Sequence, residues 1–165
     1  MPMTHYMELL AENQPWNLIL FMAIPVILAE TVAITELFIL YARRVDGMLG
    51  TLNRWASISG GLYFSGVFIY LLFTAAIPLT QNSAWRGPAD VIAVVAYLAG
   101  IVPLLGLALL DLGLIGRKLS FEQKLKLHAG FVAVFLVVAH IAMIFGMLDP
   151  TLLQAAGAPM DMHRH

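Results

Sequence analysis

The chain has 165 residues, 61% of them hydrophobic and only 12% charged, with a mean hydropathy of +0.86. A soluble domain carries about 25% charged residues, so this composition describes an integral membrane protein rather than a large water-soluble core. A formal charge of -1 leaves no electrostatic footprint for nucleic acid, and the absence of cysteine excludes disulfides, thiolate metal sites and haem attached through cysteines.

The N-terminal stretch MPMTHYMELLAENQPW has no basic region and no small-residue cleavage site ahead of the first apolar run. That run is therefore expected to be a retained span rather than a signal peptide. Residues 4–12 read as a short interfacial helix ending before Pro15. Four segments then reach the roughly 20 apolar residues that a membrane helix requires: residues 16–41, 55–79, 89–116 and 126–148. Pro15 and Pro88 stand where a first helical turn accepts proline. Pro25 and Pro103 lie inside spans and predict kinks. Ser57, Gly61 and Ser65 recur every fourth residue of the second span, a pattern that lets helix backbones approach closely.

The three loops are RRVDGMLGTLNR, TQNSAWRGP and RKLSFEQKLK. Seven of the nine lysines and arginines fall in the first and third: Arg43, Arg44, Arg54, Arg117, Lys118, Lys124 and Lys126. The positive-inside rule makes those loops cytoplasmic. Both termini then face the periplasm of a bacterial inner membrane, and Trp16, Trp55 and Trp85 fall at the predicted interfaces. Short loops make successive spans antiparallel. The expected fold is all-α, an up-and-down four-helix transmembrane bundle forming one domain over residues 1–150, followed by a mobile tail at 151–165 that carries Met and His.

Ionisable groups inside a span are costly and mark functional candidates. Here they are Glu30, Glu36, Asp111, His140 and, at the cytoplasmic edge, His128. Asp111 precedes Lys118 by two helical turns and Glu36 precedes Arg43 likewise, so each acid has a basic residue on its own stripe. Glu30 has none, and is expected to face the bundle interior near the fourth span. Depth along the helices, at about 1.5 Å per residue, allows His128 to meet Glu36 and Asp111, and His140 to meet Glu30.

His128 and His140 stand twelve residues apart on one helix, in HAGFVAVFLVVAHIAM. Paired histidines on a membrane helix resemble the di-haem cytochromes b, but twelve steps leave the two imidazoles about 120° apart. This disfavours two haems on one face and leaves a haem b held by His140 and Met22. His140, Met143 and Met147 follow one another at i, i+3 and i+7, on one face that rises toward the outer side, with Met22 at similar depth on the first span. Both termini carry soft donors, with His5 in MPMTHYM and His163 and His165 in PMDMHRH. Thioethers suit Cu(I), and imidazole suits either copper state. The pattern resembles periplasmic copper-handling proteins and the methionine-lined entrances of copper transporters.

No phosphate loop, nucleophile elbow, HExxH or Glu-x-x-His pair is present. The chain is similar to small four-span proteins of the bacterial inner membrane. The sequence therefore points to a non-enzymatic metal-binding accessory, delivery or resistance protein, with copper as cofactor and the bilayer, other membrane subunits or periplasmic metal carriers as partners. The alternatives are a haem-b or quinone-interacting subunit of a redox complex, and a structural subunit with no cofactor that uses its buried polar groups for packing, as methionine and histidine both do.

Overall fold

The computed structural model describes residues 3–44 and 46–151, and every regular element among them is helical. The sequence-based reading of His163 and His165, and of the tail that carries them, falls outside the described residues. A short helix α1 (His5–Ala11) precedes four long ones: α2 (Trp16–Ala42), α3 (Met48–Gln81), α4 (Pro88–Asp111) and α5 (Phe121–Met147). Each of the four is long and apolar enough to cross a membrane. They form an all-α, up-and-down four-helix bundle in a bilayer setting. At about 1.5 Å per residue α3 extends for about 51 Å, well beyond the roughly 30 Å of hydrocarbon.

The helix ends differ from the apolar windows of the sequence because local capping, not hydropathy, sets them. α4 stops at Asp111 and does not continue to Gly116. Gly113 takes a left-handed backbone (φ 72°), and the amides of Gly113 and Leu114 turn back to the carbonyls of Leu110 and Leu109. This is the Schellman arrangement, which only a residue tolerant of positive φ closes readily. Lys118 therefore lies beyond the end of the helix, and the stripe expected to join it to Asp111 does not exist. α2 also ends on a left-handed residue, Arg43 (φ 50°). α5 starts at Phe121 because Ser120 forms a reciprocal capping box with Gln123.

Two prolines reshape their helices through π turns. A wide turn at Ile19–Ala23 precedes Pro25, and another at Leu72–Ala76 precedes Pro78. In the first, the Ile24 amide bonds back to Ile19, which deprives the Leu20 carbonyl of its usual donor. Pro25 has no N–H to offer Phe21. Two tyrosines supply what is missing: Tyr63 of α3 donates to the Leu20 carbonyl (2.9 Å) and Tyr97 of α4 to the Phe21 carbonyl (2.5 Å). The open carbonyls of α2 thereby become ties to two other helices.

Successive spans pack along their lengths, whereas α2 and α5, which would close the ring, touch only loosely. One apolar cluster, around Phe64, Leu104, Leu107 and Phe135, fills the middle of the bundle. A second, around Tyr6, Phe21, Leu71 and Leu98, fills the end nearer the termini. The tightest seam is α3 against α4. A Cβ placed on Gly61 would lie 2.5 Å from the Ala108 Cβ and 2.6 Å from the Leu104 carbonyl oxygen, and Ser57, one turn earlier, is fully buried. The small-residue stripe is thus a contact face.

Gly61→Val is expected to lower stability by about 1–3 kcal/mol through overpacking against backbone that has no room to yield. Gly66→Ala, on the same helix with nothing within 4 Å of the added carbon, is expected to be neutral or slightly stabilising. Thermal unfolding of the two variants in detergent reads the contrast.

Candidate functional site

Three groups of polar side chains lie at successive levels of the bundle. At the end bearing the basic loops, His128 of α5 stands between two acids. Its Nδ1 lies 2.7 Å from Glu36 Oε2 of α2, and its Nε2 lies 3.2 Å from Asp111 Oδ2 of α4. The first contact has an ion-pair distance without the angle of a linear hydrogen bond, and Glu36 Oε1 has no hydrogen-bond partner among the described residues. α3 contributes two neutral groups. Asn53 Nδ2 reaches Thr35 Oγ1 (2.9 Å), the Val32 carbonyl (3.2 Å) and, more weakly, Glu36 Oε2 (3.4 Å). Ser57 Oγ makes a very short contact with Asp111 Oδ2. Glu36 and His128 are buried, while the Asp111 side chain keeps 20% of its surface. All four spans therefore meet around one imidazole. Glu36, expected to share a stripe with Arg43, is turned to His128 instead.

About 18 Å along α5 from His128, by helical rise, lies the second level. The loose α2–α5 seam opens there into a cleft of about 430 Å³. Phe21, Phe64, Tyr97 and Phe135 line it with aromatic surface. Met22 and Glu30 come from α2, and His140 and Met143 from α5. Met147 is not among the lining residues and is largely exposed. Glu30 is exposed on the cleft rather than buried in the bundle interior, because α2 and α5 stand too far apart to cover it. His140 Nδ1 lies 2.6 Å from the Leu136 carbonyl. A carbonyl can only accept, so Nδ1 carries a proton, and the lone pair of this tautomer is at Nε2. Ile27 and Met143 at the rim are exposed, so the cleft opens sideways, toward the position of lipid.

The third level is α1, which seals the cleft at the end nearer the termini. Tyr6 reaches the cleft, lies 5.3 Å from the Tyr97 ring, and sits so close over Gly146 that an added Cβ would clash at 2.6 Å. Burial pushes the Tyr6 phenol up to about 12, which keeps it neutral. The sequence reading did not single out Asp90, yet this fully buried residue holds α1 in place. It accepts from the amides of His5 (2.7 Å) and Arg86 (3.2 Å), and its Oδ2 lies 2.6 Å from His5 Nδ1. Thr4 donates to the Gly146 carbonyl (2.6 Å), and Arg86 pairs with Glu8 (2.6 Å). His5, a candidate metal ligand by sequence, is thus engaged with Asp90. The available signal was an acid in the first turn after Pro88, where a helix N-terminus favours negative charge.

The candidate residues thus fall into separate neighbourhoods: Glu36, Asp111 and His128 together, Met22, Glu30, His140 and Met143 around the cleft, and His5 at the cap. Among the described residues, no three His, Asp or Glu side chains converge as ligands around one point.

The chain belongs to a family of unknown function, DUF6803, whose model matches residues 1–162. Comparison with curated proteins and with solved structures returned no match.

Asp90→Ala removes the acceptor for two amides and the partner of His5. The expected cost is about 1–3 kcal/mol, concentrated on α1. Hydrogen exchange of the α1 amides should rise more than tenfold, with α5 amides around Phe135 unchanged. Equal exchange in parent and variant would show that Asp90 does not hold the helix.

Proposed function

We propose that the protein binds a lipid-soluble aromatic dihydroxy ligand of the quinol class in the cleft between α2 and α5, as a membrane subunit or accessory of a redox system. The observation that carries this reading is the cleft itself. Its volume of about 430 Å³ falls within the roughly 300–1,000 Å³ typical of sites for organic ligands and far exceeds that of a bare ion. Its walls are aromatic and aliphatic, suited to a flat ring and an isoprenoid-like tail. Its side opening lets a ligand enter from the bilayer.

The polar groups favour the reduced form. His140 presents a lone pair at Nε2, and Glu30 on the facing helix is an acceptor when ionised. Two acceptors on opposite walls match two hydroxyl donors on opposite edges of a quinol ring. A quinone, which has only acceptors, finds no donor in this tautomer of His140 and would depend on the Tyr6 phenol at one end of the cleft. The proposed setting is a bacterial inner membrane with the basic loops in the cytoplasm, supported by the charge distribution of the loops.

A second reading, Cu(I) binding, is favoured by one specific observation: Met22, Met143 and His140 all line the same cleft. These are soft donors with the imidazole lone pair free. A haem b ligated by His140 and Met22 would use the same two cleft residues, whereas a haem between two histidines has less support, because His128 faces Glu36 and Asp111.

Titration of the purified protein with a short-chain ubiquinol is expected to saturate at one ligand per chain. His140→Leu should weaken binding at least tenfold, about 1.4 kcal/mol, while Met143→Leu leaves it within a factor of about two. Failure to bind quinol, together with one tightly held Cu(I) lost in both Met22→Leu and Met143→Leu, would replace this reading with the metal one. A Soret band in the protein as isolated would replace it with haem.

A further inference from the structure

The Glu36–His128–Asp111 cluster stands apart from the cleft, and its charges do not balance. Each ring nitrogen of His128 has a carboxylate oxygen within ion-pair distance, and even a fully protonated imidazolium beside two ionised acids leaves a net charge of −1. Among the described residues, no lysine or arginine forms an ion pair with either acid. The groups facing His128 are Glu36 from α2 and Asp111 from α4, with neutral Asn53 and Ser57 from α3. On α5 itself Lys124 lies one turn back, and it pairs with neither acid. An unbalanced charge at this depth is costly.

Two observations indicate how the imbalance is met. Glu36 is 3% exposed, and its Oε1 has no partner. An ionised carboxylate would need several donors there. The Ser57 hydroxyl has a single proton yet contacts two oxygens, the Arg54 carbonyl at 3.2 Å and Asp111 Oδ2. The carbonyl can only accept. With one proton for the two oxygens, Ser57 gives Asp111 at most one neutral donor and no cation. A helix C-terminus, where Asp111 stands, also opposes a negative charge.

We infer that Glu36 and Asp111 together hold one exchangeable proton beyond those of the imidazolium, making this cluster a proton-binding site on the side of the basic loops. Uptake forms one O–H bond on the carboxylate pair and brings the cluster to zero net charge. Release breaks that bond and delivers the proton to water through Asp111, the more exposed of the two acids. The inference does not depend on what occupies the cleft.

Infrared difference spectroscopy of the full chain in detergent, in H₂O and D₂O, tests it. At about pH 7 the parent should show one protonated carboxyl per chain. Charge balance makes the expected pattern specific: Glu36→Gln and Asp111→Asn should each abolish that band, since either substitution leaves one acid facing one imidazolium. Glu30→Gln should leave it intact. The parent spectrum requires no variant to fold, and absence of a protonated carboxyl in it would overturn the inference. So would loss of the band in only one of the two variants, which marks an ordinary isolated acid, or its loss in Glu30→Gln. Exchange of choline for sodium at fixed pH should have no effect, and discharge of the band by sodium would assign the site to a metal cation instead.

Discussion

A polar side chain inside a membrane bundle must find its partners within the protein, and here that requirement converges on one imidazole. His128 joins α2 through Glu36 and α4 through Asp111, with α3 closing the group through Asn53 and Ser57. Removing the imidazole from such a set leaves two buried acids without a cation, an expensive outcome in a low-dielectric setting. The cluster therefore fixes the relative rotation of all four spans at one end. Dispersion contacts alone specify this only weakly, because lipid tails are as apolar as leucine.

The other end is fixed by different means. α1 folds back over the bundle and is held by Asp90, Thr4 and the Arg86–Glu8 pair. α2 and α5 are joined through Glu36 and His128 at one end and bridged by α1 at the other, and stand open between those ties. The cleft is the consequence of that arrangement. Its wall owes its shape to Pro25, whose missing amide and preceding π turn leave carbonyls that Tyr63 and Tyr97 take up. Widened turns of this kind recur at functional sites, and this one carries Phe21 and Met22 into the cleft.

Much of this was legible in the sequence, and the rest was hidden for identifiable reasons. Hydropathy gives four spans because the bilayer imposes a length. Depth counting brings His128 level with Glu36 and Asp111 because helical rise is nearly constant. Rotation about each helix leaves no such trace. For that reason Glu30 was expected to face the interior and instead faces an open seam, and Met147 was grouped with Met143 yet lies outside the cleft. The helix ends were misplaced because apolar content continues past Asp111 while the backbone does not, although Gly113 was a readable stop signal. Asp90 does not stand out in the sequence because its partners, the amides of His5 and Arg86 and the His5 ring, are brought to it only by the tertiary fold.

The account rests on the bridging of His128, and nitrogen-15 magnetic resonance of the labelled imidazole in lipid bilayers addresses it most directly. The structure predicts that both ring nitrogens carry protons and engage carboxylates. Glu36→Gln should then shift Nδ1 far more than Nε2, and Asp111→Asn should do the reverse. A ring with one bare nitrogen, or one whose two nitrogens respond to neither substitution, would contradict the bridge and the arrangement of helices built around it.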